Sequence, residues 1–322
     1  MTRGRAALVA ALLFTGRPAI AQVAPLPSST LAVRDARGVW REFWSARAAP
    51  VAWTSTPLAA AARWKRGATG ITWAELELRG SGEAWRTRLV VARLDPSRVR
   101  LRLDTAFTSG READWTLNHA PGDVLLAVNA GQFEATMPWG WVAIDGRRWL
   151  PAQNGPLSAA LMEDLGGTLH WVRAEDVHRV SNQISARWAF QSYPAVLAGD
   201  SILPPLRSSG GGIDVEHRDA RAGICLTRSG ELLVAITRFD GAGGALHFIP
   251  LGLTVPEMGA VLGALGCRDA MLLDGGISAR LRLRDSGGKA HDWEGLRPVP
   301  LGLVALPREA PVTDRRPAFS VP

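Results

Sequence analysis

Ala270-Met271-Leu272-Leu273-Asp274-Gly275-Gly276-Ile277-Ser278 is an apolar run that stops at a carboxylate, two glycines and a hydroxyl. Far upstream, Val124-Leu125-Leu126-Ala127-Val128-Asn129-Ala130-Gly131-Gln132-Phe133 has the same form. A short apolar run closed by a polar residue and glycine reads as a buried strand entering a tight turn. Such a turn holds its polar side chain rigidly and exposes backbone N–H groups that can form an anion nest. Asn129 and Asp274 lie 145 residues apart. The expectation is that the fold brings the two turns into one composite site.

Working outward, strands dominate. Ile71 to Leu78 is the first, and Arg86 to Leu94 and Arg98 to Thr105 are joined by the turn residues Asp95-Pro96-Ser97. Trp141 to Ile144 runs into Asp145-Gly146, a hairpin signal. Residues 154–180 are mixed, Gln191 to Leu197 reads as one strand, and Ser208 to Gly212 as a flexible loop. Ala222 to Leu226 and Glu231 to Thr237 flank Ser229-Gly230 as a second hairpin. The clearest helix follows: Thr254 and Glu257 form a capping box around Pro256, Met258, Val261, Leu262 and Leu265 keep helical spacing, and Gly266 ends it. Arg280 to Arg284 alternates as a strand. Strands without regular helix alternation predict an α+β fold, a mostly antiparallel mixed sheet with few helices in a single catalytic domain.

The 322 residues are 47% hydrophobic and 21% charged, the composition of a globular protein. Formal net charge is +7, yet Lys65 and Lys289 are the only lysines and the arginines are spread along the chain. Dispersed charge speaks against nucleic acid, which selects clustered charge. Arg98-Val99-Arg100-Leu101-Arg102-Leu103 places arginines on one strand face, either as a solvated face or as attraction for a phosphate-bearing substrate. Residues 1–21 read as a signal peptide: Arg3 and Arg5, the apolar Ala6 to Phe14, then Ala19-Ile20-Ala21 before Gln22. That run is too short to span a membrane, and no later segment is long enough. Export to the periplasm or beyond is the expectation. Residues 22–69, including the Trp-bearing amphipathic Val39 to Arg47, read as a linker or short helical appendage; 70–308 is the domain and 309–322 a tail. Export permits a disulfide between Cys225 and Cys267, while their apolar surroundings equally suit free cysteines acting as small hydrophobes.

Asp274 is the leading candidate carboxylate, although Asp-Gly is also an ordinary turn dipeptide. Ser278 follows it four residues on. Asn129 offers a donor and an acceptor to a substrate oxygen, or serves as a left-handed turn residue. Arg221 is a fork suited to phosphate, one of many arginines. His217 could do acid–base work. Glu257 is explained by its capping box. The backbone at Gly131, Gly275 and Gly276 completes the expected substrate contacts. Among 13 tryptophans and one tyrosine, Trp139 and Trp141 beside the first turn are the ones placed to stack on a sugar.

These segments, in order, resemble the phosphodiester glycosidase family, which includes the animal enzyme that uncovers mannose 6-phosphate. Asn129-Ala130-Gly131-Gln132-Phe133, followed by Pro138 and Gly140, resembles the family's Asn-Gly/Ala-Gly-x-Phe segment. Gln191-Ser192-Tyr193-Pro194 to Gly199 looks like its middle strand, and Ala220-Arg221-Ala222-Gly223-Ile224 is similar to its Ala-Arg-Thr-Ala-Ile run. Gly252-Leu253-Thr254 through Glu257-Met258 matches the helix entry, Leu273 to Ser278 the Leu-Asp-Gly-Gly-Gly-Ser turn, and Arg297-Pro298-Val299 the closing strand. The resemblance covers roughly residues 70–308. Two departures stand out: Ile277 replaces the third glycine and narrows the second turn, and Cys225 sits where glycine is common.

The resemblance implies cleavage of a sugar phosphodiester at its glycosidic bond, and bacterial relatives are exported and discussed with exopolysaccharide metabolism. A phosphate leaving group needs little protonation; it needs neutralisation, which suits Arg221 and the turn N–H groups. Asp274 suits the sugar centre as nucleophile or as base for water, with Ser278 and Asn129 orienting oxygens. Two rivals remain. One is a non-catalytic module that holds an anionic glycan. The other is a metal-assisted phosphodiesterase using Asp274, Asp214, Glu216 and His217. No metal site and no cofactor is predicted, with a divalent cation left open, and the expected partner is a sugar phosphodiester or phosphate-bearing glycan.

Overall fold

The computed structural model describes residues 29–46, 56–106, 114–209, 212–241, 246 and 248–308. The expected signal peptide, the tail 309–322, and Gly210 and Gly211 lie outside the described residues. Apolar alternation and tight turns build three main antiparallel sheets. The largest has ten strands. From one edge it runs Ser201–Ile202, Ala195–Ala198, Cys267–Leu273, Ala222–Thr227, Leu232–Phe239, Thr87–Leu94, Ile71–Gly80, Thr30–Arg34 and Trp40–Ser45, with Lys65–Arg66 added to Ile71–Gly80. A second sheet runs Arg147–Leu150, Val142–Ile144, Ala186–Ser192, Ala159–Asp164, Leu169–Arg173. A third runs Ala290–Trp293, Leu281–Arg284, Leu126–Asn129, Leu301–Pro307, Val99–Thr105.

The central strands of the large sheet are buried on both faces, which is why Leu232 to Ile236 is a continuous apolar run rather than an alternating one. One face, with Val90, Val234, Ile224 and Met271, packs against Val128, Leu281 and Leu303 of the third sheet and Leu161 and Phe190 of the second. The opposite face, with Leu89, Val91, Leu233 and Leu272, is covered by a helix, Val255–Ala264, through Met258, Val261 and Leu262. That helix is the one expected. Thr254 Oγ1 accepts from the Glu257 N–H and Glu257 Oε2 accepts from the Thr254 N–H, satisfying two helix-end donors. All ten of its residues are buried, and Gly259 lets it close on Val196, since a Cβ there would sit 3.3 Å from the Val196 side chain.

Three expectations need correction. The stretch from Val39 is, over its described residues, no helix: Trp40–Ser45 is a strand paired to Thr30–Arg34, which pairs in turn to Ile71–Gly80. Its β-branched and aromatic neighbours gain more from extending a sheet than from a helix with no groove to enter. Gln191 to Leu197 is two strands that break at Tyr193-Pro194 and enter different sheets, because proline has no N–H to continue a ladder. The mixed stretch 154–180 hides a helix, Ala174–Gln183, whose Val177 and Val180 cover the second sheet. Cys225 and Cys267 are bonded, S–S 1.98 Å, across neighbouring strands, and both are fully buried among the helix-facing core. Bridge and apolar filler are therefore both true of them. Among the described residues no helix is long and apolar enough to cross a membrane.

Candidate active site

The two glycine turns meet. Leu126–Asn129 ends in the third sheet and Cys267–Leu273 in the large one, and the turn that follows each is tied to the other. The Asp274 N–H donates to the Gly131 carbonyl at 2.9 Å. Asn129 Nδ2 donates to the Asp274 carbonyl at 2.7 Å, while Asn129 Oδ1 accepts from the Arg280 N–H at 3.1 Å. Gln132 Nε2 donates to the Leu273 carbonyl at 3.1 Å. Asn129 is 0% exposed. Its amide is thus engaged on both ends by backbone, and instead of reaching a substrate oxygen it locks one turn onto the other.

The glycines serve close approach. A Cβ on Gly275 would lie 2.5 Å from the Ala220 carbonyl oxygen, and one on Gly276, at φ +57°, would lie 2.9 Å from Asp219 Oδ2. The Gly276 N–H donates to the Ala220 carbonyl at 2.7 Å. Gly131, at φ +69°, backs onto the Gln191 carbonyl. The expected anion nest is therefore reduced: the N–H groups of Asp274 and Gly276 bind protein. In exchange, the close packing draws Asp219 to Arg221 against the second turn.

Asp274 is half-buried, and burial raises its carboxyl above the ordinary value; a hydrogen bond with the Ser278 side chain and the nearby Arg297 charge oppose that rise, and Asp219 adds to it. Ser278 is buried and faces Asp274, so it orients the carboxylate. Arg221 is held by its Nε to the Leu253 carbonyl at 2.8 Å and by Nη2 to the His217 carbonyl at 2.5 Å. Burial lowers its pKa, opposed chiefly by Asp219. His217 is exposed, with Nε2 3.8 Å from Asp219 Oδ2.

Two further cations sit behind the second turn. Arg280 is fully buried and donates only to carbonyls, those of Ser278 (3.2 Å), Trp115 (2.8 Å) and Arg297. Arg238 donates to the carbonyls of Ala279 (2.8 Å) and Glu294 (2.6 Å). Its pKa is pushed down to about 10 by burial and then by the neighbouring Arg280 charge. Neither forms an ion pair with a carboxylate within 4.0 Å among the described residues. Both guanidiniums are bonded to carbonyls, with the Glu294 charge acting on each and the Asp274 charge on Arg280, so the carboxylate of the site stands in front of a cationic back.

The aromatic expectation splits. Trp141 is 1% exposed and belongs to the core under the helix Ala174–Gln183, so it stacks on no sugar. The buried Gln191 amide, which accepts from the Trp141 N–H at 3.0 Å, fixes that segment. Trp139 stays partly open and meets Tyr193 edge to face at 4.6 Å, and Tyr193 is 41% exposed. Arg297 lies over the Phe133 ring at 4.7 Å, and its backbone N–H binds the Ile277 carbonyl at 3.1 Å. The site is therefore a carboxylate floor, a cationic rim and back, and one aromatic wall.

Sequence reading missed Asp219, Arg297, Tyr193, Arg238 and Arg280. Asp219 had a weak signal, standing two residues before Arg221 on one segment. The arginines had none, being a few among many. Asp214, proposed as a metal ligand, instead accepts from the N–H groups of Glu216 and His217 at 3.0 and 2.9 Å. No three His, Cys, Asp or Glu side chains converge as a metal site among the described residues.

A family model described as phosphodiester glycosidase matches residues 122–306. No curated protein matches the chain. Among solved structures, a hypothetical protein from Synechocystis aligns with TM-score 0.53 and 16% identity, over 74% of this chain and 62% of that one. The chain thus spans less than two thirds of that protein's length. The catalytic domain of zebrafish N-acetylglucosamine-1-phosphodiester alpha-N-acetylglucosaminidase, auto-inhibited by its pro-peptide, aligns with TM-score 0.52 and 15% identity, over 76% of this chain and 88% of that one. At these identities the likeness is one of fold.

Proposed function

The chain belongs to the phosphodiester glycosidase family, and from its site we propose hydrolysis of the glycosidic bond of a sugar-1-phosphodiester, releasing the sugar and a phosphomonoester. The observation that carries this reading is the half-buried Asp274 carboxylate beside Arg297 and the buried Arg280, with the Arg221 backbone packed against its glycine turn. A site built only to hold phosphate gains nothing from a carboxylate, which would repel it. A site that must stabilise a cationic sugar centre and an anionic leaving group at once needs both signs side by side.

Water attacks the anomeric carbon, a C–O bond forms, and the bond from that carbon to the phosphate oxygen breaks with its electron pair leaving on the phosphate. Arg221 and Arg297 take up the growing negative charge. Asp274, oriented by Ser278, stabilises the oxocarbenium-like centre. Asn129 positions Asp274 through its carbonyl, and Trp139 with Tyr193 offers a face for the sugar ring. The N-terminal signal-peptide pattern supports a periplasmic or extracellular setting, where the substrate is a phosphate-bearing glycan of the cell envelope or exopolysaccharide.

The test is incubation of purified protein with a panel of sugar-1-phosphodiesters, followed by phosphorus NMR and sugar release. The panel includes an N-acetylglucosamine-1-phosphodiester, the substrate in the zebrafish enzyme's name. Free sugar and phosphomonoester are expected. Sugar-1-phosphate would mean P–O cleavage, and binding without turnover would mean a glycan-holding module; either result overturns the reading.

A further inference from the structure

We propose that Asp219 is a second catalytic carboxylate, the base that takes the proton from the attacking water. The proposal rests on the phosphodiester glycosidase reading above. Asp219 is held firmly. Its N–H donates to the Leu253 carbonyl at 3.1 Å and its carbonyl accepts from the Leu253 N–H at 3.0 Å. Of its two carboxylate oxygens, Oδ1 accepts the Ala220 N–H at 2.8 Å. The whole carboxylate lies against Gly276, two residues beyond Asp274, with Oδ2 nearest: a Cβ there would sit 3.2 Å from Oδ1 and 2.9 Å from Oδ2. Any side chain at 276 would strike that oxygen, so the glycine turn leaves the room that Oδ2 fills.

A structural aspartate would be expected to bind an arginine. Asp219 has none within 4.0 Å among the described residues; its ion-pair contact is His217 at 3.8 Å, and the charges of Arg221 and Glu83 act on it from further off. Arg221, two residues away, commits its Nε and Nη2 to carbonyls. The result is a half-buried carboxylate on the Asp274 turn, whose Oδ2 has only the exposed His217 as its ion-pair contact, at 3.8 Å. Burial raises its carboxyl, opposed by Arg221, as burial raises Asp274. Asp219 thus touches the turn two residues beyond Asp274, and its charge adds to the rise of the Asp274 carboxyl, so the two carboxylates act on each other across one site.

The chemistry divides the labour. A departing phosphate needs no proton, so neither carboxylate must act as acid. Asp274 is engaged by the Ser278 hydroxyl and flanked by Arg297, which suits a group that stays ionised beside the sugar centre. The remaining task is the proton of the attacking water. Asp219 Oδ2 takes it while the water oxygen bonds to the anomeric carbon and the phosphate leaves, and His217, exposed and 3.8 Å away, passes it to solvent.

The experiment compares wild type with Asp219→Asn and Asp219→Ala on whichever sugar phosphodiester of the panel the wild type cleaves, with and without sodium azide. Asp219→Asn keeps the acceptor for the Ala220 N–H and guards against misfolding. Expected is a fall in kcat of at least about 100-fold, within the range general bases contribute, with KM changed less than threefold. Azide, which needs no base, should restore substrate consumption in Asp219→Ala and yield a glycosyl azide. Variants within threefold of wild type, or a loss that azide does not rescue, overturn the proposal while leaving the parent reading intact. A wild type inactive on the whole panel overturns both.

Discussion

Replacing Asn129 by alanine tests whether this residue ties the site together or touches substrate. The side chain is fully buried, and its removal unpairs the Arg280 N–H and the Asp274 carbonyl, which it meets at 3.1 and 2.7 Å. Each orphaned buried group costs about 1–3 kcal/mol, so Asn129→Ala should lose roughly 2–6 kcal/mol in urea unfolding. The Asp274 backbone then keeps its N–H bond to Gly131 but loses its carbonyl anchor, and the carboxylate drifts. Misplacement of about 1 Å can cost on the order of 100-fold in rate. The expected signature on a cleaved sugar phosphodiester is therefore a kcat lowered about 10- to 100-fold with KM little changed. Asn129→Asp separates the two halves of the amide. It keeps an acceptor for Arg280 and sets an oxygen against the Asp274 carbonyl, so it should lose kcat as fully as alanine does. A variant as stable and as fast as wild type would refute the positioning role. A raised KM with kcat and stability intact would return Asn129 to substrate contact.

Three other outcomes are expected. The Cys225–Cys267 bond closes a separation of 42 residues, for which the chain-entropy relation gives about 4 kcal/mol; Cys225→Ala/Cys267→Ala should lose about that in denaturant, and no loss would mean the strand pairing already carries the constraint. Burial raises the carboxyls of Asp274 and Asp219, so the acid limb of kcat/KM should lie above the usual carboxylate range, activity falling as pH drops through it. A raised folded-state pKa means the folded protein binds the proton more tightly than the unfolded chain, so the buried charge destabilises above that pKa and stability rises as pH falls through the window down to the unfolded value. Asp274→Asn should accordingly be inactive yet more stable than wild type at neutral pH; a less stable variant would contradict the burial argument. Trp139→Ala should raise KM with little change in stability, whereas Trp141→Ala should cost about 3–5 kcal/mol as a core truncation; equal effects on KM would erase the distinction drawn from their exposure.

The sequence carried those parts of the fold that depend on local chemistry. The Thr254–Glu257 capping box, the Asp145-Gly146 turn and the hairpin around Ser229-Gly230 each state their conformation in a few neighbouring residues, and each is found as read. What was hidden depends on partners far along the chain. Trp40–Ser45 is a strand because Thr30–Arg34 and Ile71–Gly80 supply a sheet to extend, a fact absent from its own amphipathic pattern.

The site divides the same way. Asp274 and its glycines were visible because a buried strand ending in Asp-Gly-Gly is unusual in itself. Asp219 was not, because an aspartate before Ala-Arg looks like any surface residue until Gly276 removes its Cβ and lets the carboxylate oxygen in. The glycines were thus read correctly as permissive, while the nest expected of them is reduced, two of its N–H groups binding protein. Their missing side chains admit a neighbouring protein segment, with Ala220 taking the Gly276 N–H that was assigned to phosphate. Neutralising the anion then falls to guanidiniums, Arg221 and Arg297 at the rim with Arg238 and Arg280 buried behind them, where an exposed arginine face such as Arg98 to Arg102 drew attention instead. A buried arginine that binds only carbonyls bears a desolvation cost without a contact ion pair. Here Glu294 acts on both guanidiniums and Asp274 on Arg280, so the cation pair also holds the half-buried Asp274 charge in place beside the path of the anion.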